Sequence, residues 1–336
     1  MNTIVPHTIA VVGAGMAGLS CAHALAQAGH AVHVFDKSRG PSGRMSTRRA
    51  EDAHGPWQCD HGAQYFTARD PAFRAEVARW QQASVAALWD ARLASFDGST
   101  WTTPTTPVER FVGTPRMTSP AAWQVQNLGA GAQAQWQTTV RRLDSTEAGW
   151  AITSAEHGLH SQRYGAVLLA VPAPQAVPLL APVAPAGAAL AASARMRGSW
   201  AVMLRYAAPV HMAWDGAFIN TGPLRWVARD SSKPGRTGAE TWLLHASPEW
   251  SDAHIEDSAE SVTAVLVAAF AALGGPAPLA STAHRWRYAD TEPALTLGSW
   301  WDAPLRLGLC GDWLHGGKVE GAWLSGRALA AQVVPG

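Results

Sequence analysis

Lysine is the scarcest charged residue in this chain of 336 residues: only Lys37, Lys233 and Lys318 occur. Charged side chains of both signs together make up 15% of the sequence, and 26 basic residues against 25 acidic ones leave a net charge of +1. With no basic excess to neutralise a phosphate backbone, nucleic acid is not an expected partner. Cysteine is equally rare. Cys21, Cys59 and Cys310 are odd in number, far apart and without CxxC or Cys/His ligand spacing. No disulfide framework and no metal site is expected, and a reducing cytoplasm is the default compartment. A membrane span is also missing. The uncharged run from Tyr164 to Ala194 contains Pro172, Pro174, Pro178, Pro182 and Pro185, so it cannot be one continuous helix. It reads as a buried strand, a short helix and a proline-rich connection. The apolar stretch from Thr8 to Ala28 has no basic segment before it and is interrupted by Gly13, Gly15 and Gly18, unlike a signal peptide.

What the chain does have is apolar bulk. Apolar residues make up 47%, among them 17 tryptophans. A chain of this length buries roughly 75% of its unfolded surface and folds without staples. Most of the tryptophans suit a core, and some suit the wall of a pocket for a flat ligand.

The first 40 residues read as a βαβ unit. Thr8 to Val12 is a short apolar run fit for a buried parallel strand. Leu19, Ala22, Leu25 and Ala26 recur at helical spacing, and Ala31 to Phe35 is the next strand. Asp70-Pro71 starts a helix whose apolar stripe is Phe73, Val77, Trp80, Leu88 and Trp89. Ser119-Pro120 starts another. From about Trp200 the runs alternate apolar and polar residues, as in a one-sided antiparallel sheet, with one long helix from Ser258 to Leu273. Leu305 to Cys310 is a strand and Gly321 to Val334 the last helix. The fold class is therefore α/β: a Rossmann-like nucleotide domain (residues 1–70, 115–175 and 290–336) and a discontinuous second domain on a mostly antiparallel sheet plus helices (71–114 and 176–289).

Gly13-x-Gly15-x-x-Gly18 stands between a strand and a helix, and Asp36 ends the next strand 18 residues beyond Gly18. This is the dinucleotide-binding arrangement. Gly13 permits the tight turn, Gly15 lets a pyrophosphate approach the backbone, and Gly18 lets helix and strand pack closely. The helix N-terminus offers free N–H groups to phosphate, and Asp36 can accept from a ribose hydroxyl pair. NAD and FAD both fit these features. Two further segments favour FAD. Ser42-Gly43-Arg44 places an arginine where it can meet the pyrophosphate. Gly311-Asp312 precedes a glycine-rich turn and the last helix, whose N-terminus can face the flavin edge that becomes negative on reduction. Asp312 alone fits a helix cap as well as a ribityl contact.

These pieces resemble the bacterial renalases, within the FAD-dependent amine oxidase superfamily. The resemblance rests on the GxGxxG unit and on the segments Gly43 to Arg49, Asp60 to Thr67, Arg229 to Arg236, Leu243 to Trp250 and Cys310 to Trp323, which span nearly the whole chain in order. It implies a p-hydroxybenzoate-hydroxylase-like fold with non-covalent FAD. The implied flavin contacts are Gly13, Ala14, Gly15, Met16, Ala17, Gly18, Asp36, Lys37, Gly43, Arg44, Met45, Gln64, Val140, Gly311, Asp312, Val319, Glu320, Gly321 and Ala322. It also implies oxidation of the 2- and 6-dihydro isomers of NAD(P) to NAD(P)+. Molecular oxygen is the implied acceptor and hydrogen peroxide the product.

Hydride transfer that yields an aromatic cation needs no protein acid or base, so a wall of aromatics with a few polar orienters is expected rather than a triad. Gln64 and Tyr65 are placed to face the flavin. His245 lies on a strand, on the opposite face from Trp242 and Leu244, and fits either a carboxamide contact or a structural histidine. Trp226, Trp286, Trp301 and Trp313 fit a pocket wall or the core. Arg225, Arg229, Lys233 and Arg236 fit a phosphate contact or a solvated loop. Two alternatives stand beside the leading one. Amine oxidases often use an aromatic pair at the flavin face, for which tryptophan can substitute, and a lysine holding water near the flavin, for which only Lys233 and Lys318 are placed. A non-turnover flavin-binding sensor would use the uncharged proline-rich stretch as a docking surface. The partner in the leading reading is a small-molecule dinucleotide, and a monomer or a homodimer is compatible with the sequence.

Overall fold

Ile9–Val12 is buried at every position because it lies at the centre of a six-stranded sheet. The computed structural model describes residues 8 to 334. Parallel neighbours of the central strand are Val32–Phe35 on one side and Ala166–Leu169 on the other. Ala132–Gln135 and Leu307–Leu309 extend the parallel sheet, and Trp300–Asp302 closes one edge antiparallel. Covered on both faces, the inner strands read as continuous apolar runs rather than alternating ones. The carboxyl ends of Ile9–Val12 and Val32–Phe35 lead directly into Gly13 and Asp36. That end of a parallel sheet is where such folds bind ligands.

A second sheet has seven strands in the order Ala280–Thr291, Met196–Tyr206, Glu240–Ala246, Leu224–Arg229, Gly216–Ile219, Leu93–Phe96 and Trp101–Thr102. All its pairs are antiparallel except Gly216–Ile219 with Leu93–Phe96. Side chains alternate along each strand. Val202, Leu204, Trp242 and Leu244 therefore face the helix Ala259–Ala272 through Val262, Leu266 and Phe270. Ala201, Met203 and Leu243 face the other way, toward Cys59 on the hairpin Thr47–Asp52/Gly55–Asp60. His245 shares that second face. The protein is thus a mixed α/β fold with a Rossmann-like nucleotide domain and a second domain built on a sheet.

Three local expectations need correction. The helix after Asp70, whose carboxylate accepts from the Ala72 and Phe73 N–H groups, ends at Gln82. Ser84 at φ +59° then turns the chain, so Leu88 and Trp89 fall outside the helical stripe. The uncharged stretch holds two helices, Ala173–Leu180 and Pro185–Ser193. Pro185 opens the second, where its missing N–H costs no bond. The last helix is Lys318–Val333 and begins three residues early, because Gly316 and Gly317 at φ +68° and +76° turn the chain into it. Among the described residues no helix is long and apolar enough to cross a membrane.

The first helix, Met16–Gln27, packs directly on the last. A Cβ at Gly326 would lie 2.1 Å from the Ala17 carbonyl oxygen, and Ser20 Oγ donates to the Trp323 carbonyl at 2.6 Å. Backbone touches backbone here, so no slack exists for an added methyl. Gly326→Ala is expected to cost about 1–3 kcal/mol by overpacking. A lowered urea midpoint with unchanged slope, together with weaker FAD retention, checks this.

Candidate active site

The phosphate end is built from bare backbone. Gly13 sits at φ +110°, and a Cβ there would lie 2.4 Å from the Ala170 carbonyl oxygen. Gly15 precedes the first helix, which has no side-chain cap and no acidic residue in its first turn. Its leading N–H groups and its positive end are left for an anion. Gly43, at φ +53°, faces Gly15 so closely that a Cβ would come within 3.2 Å of the Gly15 Cα. Asp36 is held by the Ala14 N–H at 2.7 Å and the Ser38 N–H at 2.8 Å, with Lys37 exposed beside it. Ala14, Met16 and Ala17 are buried, as is Met45, and Val140 packs in the core with Phe35.

Arg44 spans the middle of the site. One terminal guanidinium nitrogen donates to Asp312 Oδ2 at 3.0 Å and to the Ala289 carbonyl at 3.0 Å, while the other pairs with Asp312 Oδ1. Burial opposes this charge, but the Asp312 carboxylate holds the guanidinium above its ordinary range. Asp312 is thus an ion-pair partner and not a helix cap. The last helix, like the first, has no side-chain cap at its N-terminus, where Gly317 stands. Glu320 in its first turn reaches away to accept from the Arg69 and Asp70 N–H groups at 2.6 and 2.7 Å. Gly321 is required by packing, since a Cβ would lie 2.0 Å from the His315 carbonyl oxygen. Val319 is half-buried and Ala322 is buried. Two uncapped helix N-termini, a facing pair of glycines and a half-buried arginine form a donor set that fits FAD: pyrophosphate at the first helix, flavin edge at the last.

Beyond Arg44 lies the loop Asp60–Tyr65. Ala63 N–H donates to the Arg44 carbonyl at 2.8 Å, and a Cβ at Gly62 would lie 1.9 Å from that same oxygen. The His61 carbonyl takes the Trp286 indole N–H at 2.8 Å and bonds His245 Nε2 at 3.2 Å. A carbonyl only accepts, so the His245 proton is on Nε2 and its Nδ1 is a bare acceptor. Nδ1 takes no hydrogen bond among the described residues and is not sealed from solvent. Burial lowers the His245 pKa to about 4; the His61 carbonyl opposes this and the Lys233 and Arg225 cations add to it. His61 stacks on Trp286 with ring centres 5.2 Å apart, and burial beside His284 brings it to about 3. Both imidazoles are neutral near pH 7.

Tyr65 sits in an aromatic corner, 5.6 Å from Trp226 and 6.4 Å from Trp89, with the Arg110 guanidinium 5.2 Å over its ring. The other expected residues divide. Gln64 is buried, and its amide donates to the Asp60 carbonyl at 2.7 Å and accepts from Lys233 at 3.2 Å. It shapes the loop from behind and does not present its amide to a ligand. Trp313 is 1% exposed and donates to the Val171 carbonyl, so it belongs to the core and not to a flavin-facing wall. Trp301 packs on Gly308 within the nucleotide sheet.

The basic stretch is neither a solvated loop nor a phosphate clamp. Arg229 pairs with Glu240 at 2.8 Å and Arg236 with Asp60 at 2.5 Å. Lys233 is fully buried between Asp60 and Asp230, so it holds no water near a flavin. Only Arg225 stays half-exposed, 3.7 Å from Asp290. The acidic partner Asp60 lies more than 160 residues away in sequence, and the sole local hint was Asp230 three positions before Lys233.

Comparison with known proteins now settles the family. The model described as flavin containing amine oxidoreductase matches residues 123–334, and that of an NAD(P)-binding Rossmann-like domain matches residues 11–80. The chain belongs to the flavin containing amine oxidoreductase family. Its cofactor is FAD. An L-amino-acid oxidase of Daboia russelii is 54% identical over 44 residues, covering 13% of this chain and 9% of that protein. One of Crotalus adamanteus is 51% identical over 47 residues, covering 14% and 9%. The chain therefore spans under a tenth of the length of these relatives. Over the whole chain the likeness is one of fold. An engineered putrescine oxidase superposes with a TM-score of 0.72 at 13% identity, covering 97% of this chain and 98% of the other. The cyclohexylamine oxidase of Brevibacterium oxydans IH-35A gives 0.71 at 12% identity, covering 98% of each.

Two glycine variants separate ligand binding from packing. A Cβ at Gly15 meets nothing closer than 3.9 Å, whereas one at Gly18 would lie 1.9 Å from the Gly13 carbonyl oxygen. Gly15→Ala is expected to leave the unfolding midpoint of the FAD-free protein unchanged and to weaken FAD binding by about tenfold or more, roughly 1.4 kcal/mol. Gly18→Ala is expected to lower both. Flavin titration and thermal unfolding of the FAD-free protein read the difference.

Proposed function

We propose that this flavoprotein is a renalase-type oxidase, taking hydride from the 2- or 6-dihydro isomers of NAD(P) and releasing NAD(P)+. His245 carries the reading. Its bare Nδ1 is an uncharged acceptor suited to a carboxamide N–H, and its tautomer is set by the His61 carbonyl. Tyr65 and Trp286, both half-buried, supply aromatic surface near it for a flat ring, with Trp226 buried behind Tyr65. The two carboxylates behind this face, Asp60 and Asp230, are both paired with cations, which leaves neither free to hold an ammonium. FAD, when bound, would supply the hydride acceptor, with oxygen as the final acceptor and a proton from solvent completing hydrogen peroxide. The protein's own residues need to move no proton, because the donor becomes an aromatic cation by losing hydride alone. Their work is to orient the ring and to exclude water.

A second reading, oxidation of an amine, is supported by the names of the relatives, oxidases of amino acids and amines. A groove of about 640 Å³ lined in part by Arg197, Asn220, Arg225, Glu249, Asp290 and Glu292 does not add to it, because Glu249 and Glu292 pair with Arg197 and Asp290 with Arg225.

Anaerobic mixing with the dihydro isomers, with ordinary NADH and with a panel of amines decides between the two. Bleaching of the flavin band near 450 nm by the isomers alone is the expected result; bleaching by an amine alone would replace the first reading with the second. His245→Ala is expected to retain FAD and lower kcat/KM for the isomers by about tenfold, the worth of one hydrogen bond. Because protonation would remove the acceptor and His245 titrates at about 4, kcat/KM is expected to stay level from about pH 8 down to about pH 5 and to fall only below that. A fall centred near pH 6.5 would mean an ordinary imidazole and a different role for His245.

A further inference from the structure

Lys233 has a fully buried ammonium, and all three of its hydrogens are used. Asp230 Oδ1 accepts at 2.7 Å, Asp60 Oδ2 at 3.0 Å and Gln64 Oε1 at 3.2 Å. Arg236 reaches the same Asp60 oxygen at 2.5 Å, and Thr47 Oγ1 donates to the other. Two carboxylates and two cations thus balance. Burial works against the ammonium, and the flanking carboxylates hold it charged. Stability alone does not call for such a cluster, because buried ion networks are often no better than well-packed apolar side chains. What an ammonium does here that an apolar group cannot is join two residues four apart on one loop. Lys233 binds Asp60 and Gln64 together, and the Gln64 amide returns to the Asp60 and Gly62 carbonyls at 2.7 and 3.3 Å. The loop so closed carries the His61 carbonyl that fixes His245, and it leads into Tyr65. The same segment also holds the aromatic corner. Ser232 Oγ accepts from the Trp89 indole at 3.1 Å, and Lys233 Nζ lies 5.8 Å from the Trp89 ring, which neighbours Tyr65 and Trp226.

We infer that Lys233 is a positioning residue of the hydride-transfer site: acting through Gln64, it sets the turn Gly62–Tyr65 against the flavin ring. This rests on the reading that the loop faces the flavin, and it is independent of which donor is oxidised.

Holoenzymes of wild type, Lys233→Met, Gln64→Leu and the double variant test it. Burial and the Asp60 carboxylate already push Asp230 up to about 6, so it is expected to take a proton when the ammonium is removed, and Gln64→Leu, which removes no charge, reads geometry by itself. Sulfite, which adds at flavin N5, is the donor-independent probe; the rate of anaerobic reduction by whichever donor bleaches the flavin is the second. Both single variants are expected to keep FAD while sulfite affinity and reduction rate fall by about tenfold, as for a small misplacement at the reacting centre. The double variant is expected to be no worse than either single one. Unchanged sulfite affinity in Gln64→Leu, or single effects that multiply in the double variant, would overturn the inference. Lowered thermal stability with normal sulfite affinity would do the same, since it marks a purely structural role. If Lys233→Met does not fold, Gln64→Leu decides alone, because it removes no charge and leaves both ion pairs of Lys233 intact. Failure of the dihydro isomers to bleach the flavin would dispose of the proposed donor and leave the sulfite result standing.

Discussion

Everything in the nucleotide half depends on the contact between the first and last helices. Gly326 lets the backbone of one lie on the carbonyl of Ala17 in the other, and the Ser20 hydroxyl locks the pair. Two uncapped N-termini are thereby held at one end of the parallel sheet, although about 300 residues separate them. Each brings free N–H groups and a partial positive charge. Arg44 and Asp312 add an ion pair between those ends. A flavin dinucleotide needs donors at both its pyrophosphate and its flavin edge, and this packing supplies both before any ligand arrives.

The reacting half follows a different economy of charge. Its carboxylates are neutralised below the surface, with Lys233 and Arg236 holding Asp60 well below the usual carboxylate range. Its histidines are kept neutral by burial. What remains facing outward is aromatic surface and one imidazole nitrogen that accepts. Such a face is poor at acid–base work and good at orienting a flat, uncharged ring.

Local pattern determined the βαβ unit in the sequence. Gly13, Gly15, Gly18 and Asp36 are short-range features, since a strand, a turn and a helix follow from residues within one turn of each other. The alternation that places His245 opposite Trp242 and Leu244 was legible for the same reason, because a strand has a period of two. Distant segments decided what local pattern left open. Of the two readings of Trp313, pocket wall or core, packing chose the core, and Gln64 was turned inward by a lysine 169 residues away. The stretch from Arg225 to Arg236 is basic in sequence yet mostly neutralised in space, because Asp60 and Glu240 come to it from other strands.

The sequence by itself determined the fold class and the nucleotide-binding character of the chain, since both arise from periodicity and from glycines whose effect on the backbone is local. Only the tertiary structure decided which polar groups are free to act. Whether a carboxylate, an ammonium or an imidazole can meet a ligand depends on what else reaches it. Here those partners lie on strands and loops far apart in the chain, brought together because burying a charge or a polar group without a partner costs more than the fold can sustain.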